Sequence, residues 1–244
     1  MVCDSSINLL RPRAVIQQLL LDGNVNSVLE MAGMLHGHYC PGLALGVKAV
    51  DAAFNRLGIT DNTGMEEVMA VAECNSCFVD GIQFAAGCTL GNNALVYKDL
   101  GKTAATFYRR GGEKAVRVCV KTYDFATGTE EERNEGDALF EKAVKRREKL
   151  TEEENARMKE LWTRLSFATV EMPADTLFTI TTVQPPELPF APIFDSQECA
   201  MCGEKVMESK AVFRNGKPAC INCAGEEYRM VVGKGIATAK AVRQ

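Results

Sequence analysis

Ala94-Leu95-Val96-Tyr97-Lys98, Ala104-Ala105-Thr106-Phe107-Tyr108-Arg109 and Val116-Arg117-Val118-Cys119-Val120-Lys121 are three short runs rich in β-branched and aromatic residues, parted by Gly101 and by Gly111-Gly112. Runs of this composition suit a pleated, half-buried surface, and glycine breaks between them predict tight connections, so the stretch predicts an antiparallel meander. Upstream, residues 67–73 form another apolar run that predicts a buried strand, and a short helix is expected over residues 78–84. Earlier still, apolar residues recur at helical spacing over 7–22 and 26–35, interrupted by Asp22-Gly23-Asn24. Leu43, Leu45, Val47, Val50 and Phe54 predict a third helix ending near Gly58. Helices first and strands after predict an α+β domain with a mixed or antiparallel sheet.

Downstream, residues 130–166 are dense in charge with a thin apolar stripe: Leu139, Phe140, Ala143 and Val144, then Met158, Leu161, Trp162 and Leu165. Thr151 and Glu154 form a capping-box pair, so a helical hairpin with a solvated outer face is expected, its second helix starting there. A strand is expected over 176–183. Pro185, Pro186, Pro189 and Pro192 then stiffen a stretch that cannot be helical. The expected organisation is a core domain over 1–184, a proline-rich linker over 185–197 and a small domain over 198–244.

With 46% hydrophobic and 25% charged residues in 244, the chain can bury an ordinary core. No run approaches the ~20 apolar residues of a membrane span. Arg11, Arg13 and Asp22 punctuate the N-terminal apolar patch, which is expected to be an amphipathic helix rather than a signal peptide. Ten cysteines in a chain of this length fit metal-bound thiolates in a reducing cytoplasm better than a secreted disulfide framework. The net charge of −4 argues against nucleic acid, although residues 229–244 carry four basic and no acidic residues. No Walker loop or dinucleotide-binding glycine pattern is present.

The strongest motif is Cys199-x2-Cys202, then Cys220-x2-Cys223. Zinc takes four soft ligands in a tetrahedron, and a two-residue gap lets one tight turn supply two thiolates. Gly203 follows the first pair where such a turn needs it, and Ala211-Val212-Phe213 with Asn215-Gly216 predicts a hairpin between the pairs. A structural Zn2+ is therefore expected on Cys199, Cys202, Cys220 and Cys223, contributing folding energy to a unit of little core.

A second cluster lies near the N-terminus. His36, His38 and Cys40 are spaced by two, so an extended segment would point all three to one face. Pro41 suits the first position of a helix, which would put Cys40 at the N-cap, where the helix dipole favours a thiolate. Cys74-Asn75-Ser76-Cys77, with Asp80 one turn beyond, and Cys88 in a glycine-flanked loop add further thiols. Imidazole and thiolate suit zinc, nickel, copper or iron. Burial as small apolar residues is the alternative reading of Cys74, Cys77 and Cys88 taken singly.

Taken together, His36-Gly37-His38-Tyr39-Cys40-Pro41-Gly42, Cys77-Phe78-Val79-Asp80-Gly81-Ile82-Gln83, Gly87-Cys88-Thr89-Leu90-Gly91-Asn92-Asn93 and Lys98-Asp99-Leu100-Gly101-Lys102 resemble the FmdE-type proteins of the formylmethanofuran dehydrogenase system, in their longer form with two C-terminal cysteine pairs. The resemblance implies an α+β core, a separate zinc ribbon and an intertwined homodimer. It also implies a core cleft containing His38, Cys40, Cys77 and Cys88, with Asp80, Thr89 and Lys102 nearby. On that footing the core holds a second metal (zinc, nickel or iron), Asp80 acts as a general base, Lys102 contacts an anion, and the chain is linked to a molybdenum or tungsten oxidoreductase of one-carbon metabolism and its subunits. Two alternatives stand beside this: a metal- or redox-sensing regulator whose ribbon contacts protein or nucleic acid, and thiol chemistry at Cys74 and Cys77. The last ranks lowest because no strand–CxxC–helix within a βαβ unit is evident from the sequence.

Overall fold

The computed structural model describes residues 10–122 and 128–241, and the chain divides into two compact units, Met1–Glu187 and Leu188–Gln244. The first three residues of the helix expected from residue 7, and the last three of the basic tail, lie outside the described residues.

The first unit opens with helices α1 (Ala14–Leu21), α2 (Val25–His36) and α3 (Pro41–Leu57). Asn24 caps α2 by accepting from the Ser27 N–H, and left-handed Gly37 ends it. Cys40 is the extended N-cap of α3, with Pro41 behind it and left-handed Gly58 at the far end. Strand β1 (Val68–Ala72), helix α4 (Cys77–Ala86), β2 (Leu95–Tyr97), β3 (Ala104–Arg109) and β4 (Ala115–Val120) follow. Then come α5 (Glu130–Phe140), a π-helical turn at Glu141–Lys145, α6 (Glu152–Glu171), the short α7 (Ala174–Leu177) and β5 (Phe178–Val183). Capping boxes at Thr129/Glu132 and Thr151/Glu154 start α5 and α6, the first in addition to the one expected from the sequence.

The sheet order is β2-β1-β3-β4-β5. Strands β3 and β4 form the expected antiparallel hairpin, but β2 does not join their meander: it lies on the other side of β1 and runs parallel to it. The reason is α4, which carries the chain from the end of β1 back to the start of β2 in a βαβ crossover. That unit contains the strand–CxxC–helix arrangement that the sequence did not reveal, with Cys74 after β1 and Cys77 as the first residue of α4. The sheet is mixed, and the fold class is α+β.

Helix α3 is the hub of the core. Leu43, Leu45, Val47, Ala49 and Val50 are fully buried, and Phe54 meets Phe107 of β3 edge-on at 6.3 Å. Helices α3 and α4 touch backbone to backbone. A Cβ on Gly46 would overlap the Phe78 carbonyl oxygen, and one on Gly81 would overlap the Leu43 carbonyl oxygen.

Buried Glu73, just past β1, receives both guanidinium branches of Arg117 from β4, at 2.6 and 2.7 Å. This pairing holds the Glu73 carboxyl below its ordinary value. Its stabilisation is present above the unfolded carboxylate range and is lost as pH falls through the lowered folded value. Arg117→Ala is therefore expected to cost about 2 kcal/mol at pH 7, since the guanidinium is only partly buried, and less below about pH 4. Urea unfolding at both pH values checks this; a cost that does not shrink in acid would show that the pair is not its origin.

In the second unit, strands β6 (Ser196–Glu198) with β7 (Lys205–Met207) and β8 (Val212–Arg214) with β9 (Lys217–Ala219) form two small hairpins. A short helix α8 (Ile221–Ala224) and the hairpin β10 (Glu227–Val232) with β11 (Gly235–Lys240) complete it. Asn215 and Gly216 both take positive φ, 52° and 76°, as the two-residue turn between β8 and β9 requires.

Candidate metal centre

Three local devices bring donor atoms together at the shared end of α2, α3 and α4. His36 is the last residue of α2, so it reaches the site from a helix terminus and not from an extended run of three. After the Gly37 cap the chain extends through His38, Tyr39 and Cys40 into α3. Tyr39 pins this segment: its ring packs over Gly33 and stands 5.2 Å from Phe167 of α6, and its hydroxyl donates to the Glu30 carbonyl. Gly42 lets the first turn of α3 approach α4, since a Cβ there would lie 3.0 Å from the Cys77 Cβ.

One donor atom from each of His36, His38, Cys40 and Cys77 falls within 4.8 Å of every other. Cys40 Sγ lies 3.7 Å from His36 Nε2. His36 Nδ1 lies 2.7 Å from Asp80 Oδ2, and because a carboxylate only accepts, Nδ1 carries the hydrogen and Nε2 keeps its lone pair for a metal. Gln83 steadies Asp80 by donating to Oδ1 at 3.1 Å, while its own carbonyl accepts from the Leu90 N–H. This is the carboxylate–histidine arrangement that orients metal ligands.

The two thiols share a hydrogen bond that sets them apart. Cys77 is pulled down to about 5 by the hydrogen bond from Cys40, with further help from His36, whereas Cys40 is pushed up by the same bond and by burial. The negative charge thus sits on Cys77 at the start of α4, where the helix dipole also favours it. Two imidazoles and two thiols are a soft tetrad of the kind zinc, nickel, copper or iron accepts. His38 is the exposed member, and its ring lies 4.4 Å from His36 and 6.3 Å from Trp162 of α6, which in turn meets Phe140.

The remaining expected residues lie elsewhere. Cys88 follows the C-terminus of α4, whose ten residues place it about 15 Å from the helix start. It is buried, its thiol donates to the Val68 carbonyl and accepts from Asn62, and it does not join the tetrad. His36 takes its place. Thr89 is engaged with Asn92 in a reciprocal turn. Asp80 faces His36 rather than standing free as a base. Lys102 is exposed and places its charge near Glu73. Cys74 is buried against Ser76, and Cys119 sits in β4 opposite Ala104.

In the second unit the thiols of Cys199, Cys202, Cys220 and Cys223 also lie within 4.8 Å of one another. Gly203, at φ 76°, closes the first knuckle by donating to the Cys199 carbonyl. Backbone N–H groups, first that of Cys220, draw the Cys199 thiol down to about 6. This donor set fits a tetrahedral metal.

Fold and sites define an α+β protein with two candidate metal-binding clusters, one built into the core and one in a small C-terminal finger. The chain belongs to the FmdE family: the model described as "FmdE, Molybdenum formylmethanofuran dehydrogenase operon" matches residues 35–179, more than half of the chain. A second model, the prokaryotic dksA/traR C4-type zinc finger, matches residues 192–229. A curated relative from Archaeoglobus fulgidus, named a probable S-adenosyl-L-methionine-binding protein, is 39% identical over 212 residues, 86% of this chain. The chain spans about half of that relative's length, 55%. The crystal structure of a tungsten formylmethanofuran dehydrogenase FmdE-like protein from Syntrophus aciditrophicus shares the fold, with a TM-score of 0.53 at 20% identity, over 82% of this chain and 92% of that one.

Proposed function

We propose that the core unit is a metal-handling module that serves a molybdenum or tungsten oxidoreductase of one-carbon metabolism in the cytoplasm, as a homodimer, while zinc in the C-terminal finger is structural. The observation that carries the metal reading is the His36–His38–Cys40–Cys77 tetrad with Asp80 fixing the His36 tautomer. A metal there would supply Lewis acidity or a bound nucleophile. Four donors would close a tetrahedral ion, and exposed His38 is the ligand free to yield a position. The family's description supports the oxidoreductase link.

The test is metal analysis of anaerobically purified full-length chain. Two metals per chain are expected, falling to one in Cys40→Ser and with the core metal held more weakly in His38→Ala. Unchanged metal content in both would remove the core site. Trp162, the one tryptophan of the chain, reports on the same event: cobalt binding beside His38 should quench its fluorescence. Asp80→Ala is expected to weaken core metal binding about 10- to 100-fold, as loss of the group orienting a histidine does elsewhere. Competition with a fluorescent chelator measures it; an unshifted affinity would show that Asp80 does not orient His36.

A second reading rests on the Archaeoglobus fulgidus relative: the core binds S-adenosylmethionine. Calorimetric titration of the metal-loaded chain decides it, and absence of saturable heat would end it.

A further inference from the structure

The described thiols of the core unit fall into two sets. Cys74, Cys88 and Cys119 each face their own surroundings. Cys74 is buried with its sulfur 3.5 Å from the Ser76 hydroxyl, Cys88 is buried between the Val68 carbonyl and Asn62, and Cys119 lies along β4 beside the Val120 carbonyl. Cys40 and Cys77 face one another. Their sulfurs lie within 4.8 Å, and the Cys40 thiol donates its hydrogen to the Cys77 sulfur.

This pairing is not the one the sequence displays. Cys74-Asn75-Ser76-Cys77 reads as a CxxC pair, with β1 before it and α4 after it. Cys74 nevertheless stays outside the group of donors that contains Cys77. Gly42 is what brings Cys40 there instead. A Cβ on Gly42 would lie 3.0 Å from the Cys77 Cβ and 3.9 Å from the Cys40 sulfur, so its absence leaves the space in which the two side chains meet. The two thiols also differ in access. Cys77 is half-buried, whereas Cys40 is only 5% exposed, so a small solute reaches Cys77 first.

We infer that Cys77 is a peroxide-reactive thiolate and Cys40 its resolving thiol, the two closing a disulfide across the α3–α4 junction in competition with a metal. The start of α4 favours the thiolate form of Cys77, which is the nucleophile. Its sulfur attacks one oxygen of a hydroperoxide and the O–O bond breaks. Cys77 becomes a sulfenic acid, and hydroxide or alkoxide leaves. The Cys40 thiol then attacks the Cys77 sulfur. The S–S bond forms, the S–O bond breaks, and the thiol proton departs with the hydroxyl as water. Two electrons pass from the pair of thiols to the peroxide. Because only the thiolate is a metal ligand, the bridge leaves His36 and His38 as the remaining donors of the tetrad. The disulfide rests on the geometry of the two thiols alone, and its competition with metal rests on the metal reading above.

The experiment treats full-length chain with hydrogen peroxide, metal-loaded and after stripping with a chelator. Remaining thiols are then blocked and disulfides mapped by mass spectrometry, with circular dichroism reporting the folding of each sample. A Cys40–Cys77 link is expected in the stripped chain, suppressed in the loaded chain, still formed in Cys74→Ala and reversed by a dithiol. In Cys40→Ala the link is lost and dimedone traps Cys77 as its sulfenic acid, a product that a merely buried thiol would not give. A Cys74–Cys77 link in the wild-type chain, or a Cys77 that peroxide leaves reduced, overturns the inference. A link that forms as fast in the loaded chain overturns the competition with metal. A chain that forms the link but never holds a core metal would end the metal reading and leave the thiol pair standing.

Discussion

Cys220→Ser should leave the C-terminal unit unfolded while the core unit keeps its structure. The buried cluster of the finger is Cys199, Ala219 and Ala224, packed with Val212, Cys220 and Cys223, so thiols are half of that cluster. Four strands of three residues each and one hairpin of six-residue strands cannot hold such a unit against chain entropy. Metal binding to a structural zinc site supplies roughly 10–16 kcal/mol, and removal of one thiolate forfeits most of it. Amide NMR spectra check this: resonances of residues 196–241 should collapse to random-coil positions in the variant, or in wild type treated with a strong chelator, while core resonances stay dispersed. A metal-free finger with dispersed resonances would show that metal is not what folds it.

The second large effect concerns Gly81. An alanine Cβ there would meet the Leu43 carbonyl oxygen and come within 2.8 Å of the Val47 amide nitrogen, both backbone atoms of a buried helix that cannot step aside. Helices α3 and α4 would have to part, and with them Cys40 and Cys77. We expect Gly81→Ala to cost about 3 kcal/mol or more, roughly 6–12 °C in melting temperature, and to reduce core metal content. Gly91→Ala is the control, because its nearest neighbour would be Thr89 Oγ1 at an ordinary 3.9 Å. A Gly81 variant that melts with the control would mean the helices have slack.

The ribbon is legible in the sequence because its four ligands come as two local pairs, and local spacing is what sequence displays. Helices are legible from spacing and from caps: Pro41, Gly58 and the Thr151/Glu154 pair stand where the structure uses them. The position of β2 is not, since parallel or antiparallel pairing depends on what lies between the strands, and the short helix expected over 78–84 does not by itself announce a crossover. The same feature hides the βαβ setting of Cys74 and Cys77. The placement of Cys88 follows from resemblance, yet the length of α4 separates it from Cys77, whereas His36 joins through a helix end. Gly46 and Gly81 escape a sequence reading because close approach is a property of pairs; isolated glycines inside two apolar helical segments are the available sign.

Three members of the core tetrad lie within five residues, His36 to Cys40, but the fourth, Cys77, arrives roughly 40 residues later along the chain. A metal shared by them is therefore a cross-link as well as a centre. It ties the junction of α2 and α3 to the start of α4, closing a loop that contains all of α3 and β1. A bond closing a loop of that length removes freedom from the unfolded chain worth roughly 4 kcal/mol in the chain-entropy view. Loading the centre would then keep the start of α3 beside the start of α4 even when the segment between them opens. Hydrogen exchange in α3 should slow on loading even at amides far from the metal.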